Sequence, residues 1–205
     1  MTDTAPGVRG GFPGLTSVDT PPELGRFVAA MRRLQDLTVS TKPESATWTT
    51  AAKQVESACA VLEGHQVPDG RAQAGRVIDL PGLGHPLLPP WVVVDSGPDG
   101  VTMEGLFTRS HVGGNNAVHG GMIPLVYDWH FGMIVSTAGH SPCRTAYLHV
   151  DYRNITPINQ PLTARGRITE VDGRKLFLTA TMTAADGALL SEANGLMVRL
   201  LPHQP

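Results

Sequence analysis

The sequence predicts an α+β protein in which an antiparallel sheet wraps around one long buried helix, with a helical extension before it. Three observations predict this architecture. Residues 120–138 are apolar on nearly every side, which indicates a buried helix rather than a surface helix. Segments on both sides of it show the β-branched runs and two-residue alternation that are typical of strands. In the first 90 residues, apolar side chains recur at helical spacing instead.

The N-terminal part is predicted to consist of a tail, two helices and a loop. Residues 1–20 are expected to be a flexible tail, and residues 21–90 a helical extension ending in a Gly- and Pro-rich loop. Pro21 and Pro22 suit the first turn of a helix. We expect these helices to pack on the main sheet; the alternative is a lid over a substrate site. The two apolar stripes are Leu24, Phe27, Val28, Met31 and Leu34, and then Trp48, Ala51, Ala52, Val55, Cys59 and Leu62.

Residues 91–205 are predicted to form the main domain. A Pro-Asp-Gly turn at 98–100 indicates that the first two strands are an antiparallel pair. The later strands alternate apolar and polar residues, and Asp172-Gly173 and Asp186-Gly187 mark tight hairpins between them. The last three strands should therefore form a meander. The predicted strands are 91–94, 101–108, 162–169, 176–184 and 189–200.

Composition restricts the class of protein. The chain has 205 residues, 41% of them hydrophobic, which is enough for a folded core. Its 16 Lys and Arg against 18 Asp and Glu give a net charge of −2 without a basic run, so nothing indicates a nucleic-acid partner. Cys59 and Cys143 lack metal-ligand spacing, and residues 1–14 lack the apolar core of a secretory signal. We therefore expect a cytoplasmic protein.

The start of the buried helix has the clearest chemical potential. The glycines of His119-Gly120-Gly121 leave backbone N–H groups uncovered, and such donors can receive an oxygen that becomes an oxyanion. Asp128 is the only acid in the helix, where a carboxylate needs a hydrogen-bonding partner, a raised pKa or a function. Length alone would allow a membrane span, but Asp128, His130 and the β-rich surroundings favour a buried helix.

The spacing of these groups predicts an oligomer. Asp128 follows His119 by nine residues, which places the two on opposite helix faces, about 13 Å apart along the axis. Within one chain, the helix-start donors and the carboxylate should not meet at one substrate carbonyl. We therefore expect a homodimer, or a dimer of dimers, in which one chain contributes the helix start and the other contributes Asp128.

Three segments match a known family pattern. His-Gly-Gly at 119–121 is followed by Asp128 and, four residues later, by Gly132. Residues 145–157 match a strand with its exit turn, and residues 193–198 a closing strand. Together these segments resemble the hotdog-fold thioesterases of the PaaI-like type, over roughly half of the chain. The resemblance implies a hotdog fold and hydrolysis of acyl-CoA to a free acid and CoA, with no cofactor and no metal.

The resemblance also implies roles for individual residues. Gly120 would donate its backbone N–H to the thioester carbonyl. Asp128 would be the nucleophile or the general base that directs a water, and Thr145 would help to hold that water. His119 would shape the loop or hydrogen-bond near the thioester. Gly121 and Asn116 are further substrate-binding candidates. Arg153 is one of three candidates, with Arg144 and Arg174, for contacting the CoA phosphates.

One position departs from the family pattern. Many relatives have Asn or another polar residue six positions before the His, as a second contact to the carbonyl, whereas this chain has Gly113. Asn115 or Asn116 can replace that contact, although both are typical turn formers. A non-catalytic acyl-CoA-binding module therefore remains an alternative. A hotdog enoyl-CoA hydratase is a further alternative. The hydratase is disfavoured because its Asp/His pair has a different spacing.

Each candidate residue also has a purely structural interpretation. Asp128 can be a paired structural acid, and His119 a loop residue. The two glycines can serve close packing, and Thr145 is a common strand residue. Metal catalysis is disfavoured because the His and Asp residues lack ligand spacing on one helix face. A serine hydrolase is disfavoured because the chain has no Gly-x-Ser-x-Gly elbow.

Overall fold

The computed structural model describes residues 20–68, 70–140 and 142–202, so the predicted tail lies almost wholly outside the described residues. These residues form three α-helices, eight strands and two short 3₁₀ helices. The helices are α1 (Pro22–Ser40), α2 (Ser45–Glu63) and α3 (Met122–Thr137), and the 3₁₀ helices are Pro81–Gly84 and Arg109–His111. The strands are β1 (Val92–Gly97), β2 (Gly100–Gly105), β3 (Val112–Gly114), β4 (Ala117–Val118), β5 (Cys143–Tyr152), β6 (Leu162–Asp172), β7 (Lys175–Ala184) and β8 (Leu189–Arg199).

Six of the strands form one antiparallel sheet in the order β1-β2-β6-β7-β8-β5. The predicted meander is confirmed, because β6, β7 and β8 are consecutive neighbours. Gly173 and Gly187 make its tight turns at φ 57° and 86°, which glycine adopts without steric cost. Strand β5 pairs with β8 alone within the described sheet, and its other backbone edge is open.

Helix α3 lies across the sheet and contacts all six of its strands. Ten of its 16 residues are buried, as the all-round apolar pattern predicted. Two strand glycines allow its close approach: a Cβ at Gly166 would lie 2.9 Å from Ile134, and one at Gly195 would lie 2.7 Å from Phe131. None of the helices in the described ranges is long and apolar enough to cross a membrane. The central architecture is therefore the one that the sequence predicted.

Helix α1 packs on loop segments rather than mainly on the sheet, which corrects the expectation. Its main contacts are the two 3₁₀ helices. The Arg32 guanidinium donates to the backbone carbonyls of Pro81, His85 and Leu88 at 2.8, 3.2 and 3.2 Å. The Asp36 carboxylate accepts the N–H of a residue in the second 3₁₀ helix, at 2.8 Å. Polar side chains therefore fasten α1 to the domain.

Helix α2 also departs from the expectation, because none of its residues is buried. Most of its predicted apolar stripe is exposed, including Trp48, Val55 and Leu62. Periodicity predicts which face of a helix is apolar, but it does not predict what covers that face.

Candidate active site

The loop that leads into α3 leaves one backbone donor available. The His119 N–H donates to the His111 carbonyl at 2.7 Å, and the Met122 N–H donates to the His119 carbonyl at 2.9 Å. The Gly121 N–H donates to Nδ1 of His119 at 3.0 Å, so this predicted substrate contact is already occupied. Among the described residues, no hydrogen bond uses the Gly120 N–H. A ligand oxygen can therefore bind there, at the positive end of the α3 dipole.

His119 shapes this loop through its ring. Because Nδ1 accepts the Gly121 N–H, the neutral ring carries its proton on Nε2. The side chain is exposed, so Nε2–H is the ring donor that a ligand can reach. The geometry is compatible with both roles expected for His119, loop shaping and hydrogen bonding near a substrate.

Packing within the chain does not require glycine at position 120. A Cβ there would lie 3.7 Å from the Tyr152 hydroxyl oxygen, which is an ordinary contact. At Gly113, in contrast, a Cβ would lie 2.8 Å from Cα of His119. The polar side chain that many relatives have at this position therefore does not fit the backbone without a shift.

Tyr152 is a site residue that sequence reasoning missed. Its hydroxyl donates to the Gly120 carbonyl at 2.8 Å and fixes this peptide against the end of β5. Tyr152 lies in the strand that matched the family pattern, and an aromatic residue at that strand end was the available signal.

Asp128 lies exposed in the single chain, although the helix around it is mostly buried. The Thr145 hydroxyl donates to Oδ1 of Asp128 at 2.7 Å, which joins α3 to β5. The neighbouring Tyr127 is fully buried, and its hydroxyl donates to the Ser191 carbonyl at 2.9 Å. Burial raises the pKa of Tyr127, so this hydroxyl stays protonated and anchors the helix face beside Asp128.

The structure places the candidate residues in two groups. His119, Gly120 and Gly121 lie with Tyr152, the last residue of β5. Asp128 lies with Thr145, close to the first residue of the same strand. The two groups are therefore at opposite ends of β5 within one chain.

Two cavities flank the start of α3. The first has a volume of about 460 Å³ and is lined by Gly120, Tyr152 and Arg153, among others. Arg153 pairs with Asp151 and Glu192 at 3.3 Å, and such exposed pairs are weak enough for an anion to compete. The second cavity has a volume of about 430 Å³ and lies between α1 and the α3 start.

Asn116 lies at a turn rather than in either cavity lining. Asn115 and Asn116 connect β3 and β4 at φ 50° and 56°, the left-handed values that hairpin turns require. The side-chain oxygen of Asn116 accepts a hydrogen bond from Arg109 at 3.1 Å. Within residues 20–68, 70–140 and 142–202, no three His, Cys, Asp or Glu side chains are placed to hold one metal ion.

Comparison with known proteins agrees with this geometry. A family model described as Thioesterase superfamily matches residues 115–191, which include His119, Gly120, Asp128 and Thr145. This part of the chain resembles the thioesterase superfamily. Acyl-coenzyme A thioesterase THEM4 of Rattus norvegicus is 32% identical to this chain over 89 residues, which are 43% of this chain and 38% of that protein. The chain thus spans less than half the length of this relative.

Solved structures extend the similarity to the fold. The crystal structure of one thioesterase superfamily protein is 27% identical with a TM-score of 0.76, and the match covers 89% of this chain and 93% of that chain. Such coverage must include part of the N-terminal helical extension. The PaaI protein of E. coli is 13% identical with a TM-score of 0.51, over 53% of this chain and 82% of that chain. The predicted hotdog fold is confirmed.

Proposed function

We propose that this protein hydrolyses an acyl-CoA thioester to a free carboxylic acid and CoA. One observation carries the proposal: Asp128 is an exposed carboxylate held by Thr145, on a helix whose start presents the unused N–H of Gly120. The match of residues 115–191 to the thioesterase superfamily model and the name of the rat relative support the substrate class. A cytoplasmic location, expected from the cysteine content, is part of the proposal.

The chemistry follows from these groups. The Gly120 N–H donates to the thioester oxygen and stabilises the negative charge that develops there. Thr145 occupies Oδ1 of Asp128, which leaves Oδ2 for the reacting water or the carbonyl carbon. Asp128 either takes a proton from the attacking water or attacks the carbon itself. The carbon–sulfur bond then breaks, and CoA leaves as a thiolate, which is a good leaving group. When water is the attacking group, this step leaves the free acid. When Asp128 attacks, it leaves an acyl–Asp128 anhydride, which water hydrolyses to the free acid and the Asp128 carboxylate.

Two copies of the chain complete each site. The open edge of β5 can pair with β5 of a second copy in antiparallel, two-fold fashion. Such pairing, centred between Leu148 and His149, places Thr145 of one copy opposite Tyr152 of the other. Asp128 of one copy then lies beside Gly120 of its partner, as the nine-residue spacing predicted. The proposed assembly is either this dimer or a dimer of two such dimers.

Thiol release from short, long and aromatic acyl-CoAs tests the activity. Asp128→Asn preserves the acceptor for Thr145 but removes the charge, so kcat/KM should fall by at least about 100-fold. The control is Asp186→Asn, an exposed acid in the β7–β8 turn, which should retain wild-type activity. Full activity of Asp128→Asn would assign the chemistry to another residue.

Subunit mixing tests the composite site. Gly120→Pro removes the backbone donor and should also be inactive, whereas Gly120→Ala keeps it and fits the available space. Mixing Gly120→Pro with Asp128→Asn should restore about a quarter of wild-type activity, because half of the dimers are mixed and each mixed dimer has one intact site. If activity does not recover after mass spectrometry has verified subunit exchange, the composite site is contradicted. The proposed hydrolysis is not contradicted by that result.

A non-catalytic acyl-CoA-binding module is the second candidate function. The observation that favours it is Gly113, where the backbone leaves no room for a second polar contact to the carbonyl. Tight binding of CoA esters without thiol release from any member of the panel would support this function over hydrolysis.

A further inference from the structure

We infer that the cavity between α1 and the start of α3 holds the acyl group, so that α1 sets the acyl chain length that the enzyme accepts. The identity of the ligand rests on the proposed function. The cavity itself can be tested without turnover.

The cavity has the size and lining of a hydrocarbon site. Its volume of about 430 Å³ lies within the range of small-molecule pockets. Helix α1 contributes Leu34, Thr38 and Val39, and Leu87 and Met122 line it as well. The side chains of Val39 and Leu87 are 56% and 61% exposed, so a bound hydrocarbon would remove apolar surface from water.

Hydrogen bonds connect this cavity directly to the proposed oxyanion site. Met122, which lines the cavity, is two residues from Gly120 and donates its N–H to the His119 carbonyl. His111, which also lines the cavity, accepts the His119 N–H at 2.7 Å. A thioester bound at Gly120 therefore has the α1 cavity on one side and the Arg153 cavity on the other.

Charge distinguishes the two cavities. Arg153 supplies a cation to the first, which suits the phosphates of CoA. None of the described residues that line the α1 cavity is an Asp, Glu, Lys or Arg. Burial lowers the pKa of His111, so this histidine is neutral at neutral pH. The acyl group therefore points toward α1, and CoA points toward Arg153.

The α1 wall is fixed in place. Arg32 bonds to three carbonyls of the loop that includes Leu87, and Asp36 bonds to the N–H of Ser110, another lining residue. Both sides of the cavity are thus held by the same helix. Because this wall is rigid, the length of the cavity limits the length of the acyl chain that can bind.

Filling the cavity tests the inference. Thr38→Trp puts a large ring at an exposed position of the α1 wall. Each buried methylene contributes about fourfold to binding, so displacement of two or more should cost about tenfold. We expect kcat/KM to fall at least about tenfold more for decanoyl-CoA than for acetyl-CoA. Leu87→Trp, from the loop side, should act in the same direction.

Thr50→Trp is the matched control. Thr50 is an exposed helix residue whose hydroxyl bonds to the carbonyl four residues earlier, as that of Thr38 does, but it lies on α2 away from the cavity. The Thr50→Trp variant should have the same ratio of kcat/KM for decanoyl-CoA to kcat/KM for acetyl-CoA as the wild type. Binding of dansyl-labelled undecanoic acid gives a readout independent of turnover, and Thr38→Trp should weaken it at least about tenfold.

The outcomes separate this inference from the proposed function. Binding of the probe that is sensitive to Thr38→Trp, without hydrolysis of any acyl-CoA, supports the cavity and overturns the hydrolase. The acyl-site assignment of the cavity is overturned if the wild type hydrolyses acyl-CoA but both tryptophan variants lose kcat/KM equally for acetyl-CoA and decanoyl-CoA. Failure of the wild type to bind the probe also overturns it.

Discussion

Helices α3 and α2 have similar lengths, 16 and 19 residues, but opposite degrees of burial. Ten residues of α3 are buried against the sheet, whereas none of α2 is buried. Helix α1 is intermediate, since it buries Val28 and is fastened through Arg32 and Asp36. The comparison shows that an apolar stripe alone does not determine where a helix packs. A covering surface or polar anchors are needed as well.

This difference has an energetic meaning. Tertiary packing of an apolar face, rather than intrinsic propensity, supplies most of the stability of a helix in a protein. Substitutions should therefore have large effects in α3, moderate effects in α1 and small effects in α2.

The largest effect is expected at His130 in α3. Its side chain is fully buried, its Nε2 bonds to the Val101 carbonyl at 2.9 Å, and burial lowers its pKa to about 4. In the unfolded chain the pKa is about 6.5, so below that pH the unfolded state binds more protons than the folded state. The free energy of unfolding should thus fall by about 3 kcal/mol as pH drops from about 6.5 to about 4.

His130→Gln tests this pH dependence because glutamine does not titrate but can donate to the same carbonyl. Urea unfolding at several pH values between 4 and 7.5 gives the measurement. The wild type should lose more stability than the variant on acidification, with the difference confined to that window. If the free energy of unfolding changes with pH equally in the two proteins, His130 does not cause the loss of stability in acid.

The sequence predicted the sheet and α3 because their signals are local. Alternation marks the strands, Asp-Gly pairs mark the turns, and an all-round apolar pattern marks the buried helix. Asp128 and Thr145 were named from the motif, and the structure brings them to 2.7 Å. The bonds from Arg32 to the loop 81–88 and from Tyr152 to Gly120 join distant parts of the chain. Periodicity does not specify such contacts, so they required the structure.

The middle effect is expected at Arg32 in α1. Arg32→Met keeps the aliphatic part of the side chain but removes the bonds to three carbonyls, which should cost about 2 kcal/mol of unfolding free energy. Hydrogen exchange of α1 amides should accelerate, while exchange in α3 stays slow. Arg33→Met, at the exposed neighbouring position, is the control and should change stability by less than about 0.5 kcal/mol. If the two variants lower the free energy of unfolding equally, the anchoring role of Arg32 is contradicted.

The smallest effect is expected in α2, where Val55→Ala can be compared with Val28→Ala in α1. Val28 is 4% exposed and Val55 is 37% exposed. Both changes bring the same gain in helix propensity, so their difference reports burial. Val28→Ala should cost about 1.5 kcal/mol of unfolding free energy, and Val55→Ala less than about 0.5 kcal/mol. The contrary result is that Val55→Ala lowers the free energy of unfolding as much as Val28→Ala does, by an amount that increases with protein concentration. That result would show that a second copy of the chain covers the α2 stripe. The contrast between α1 and α2 would then hold only for the single chain.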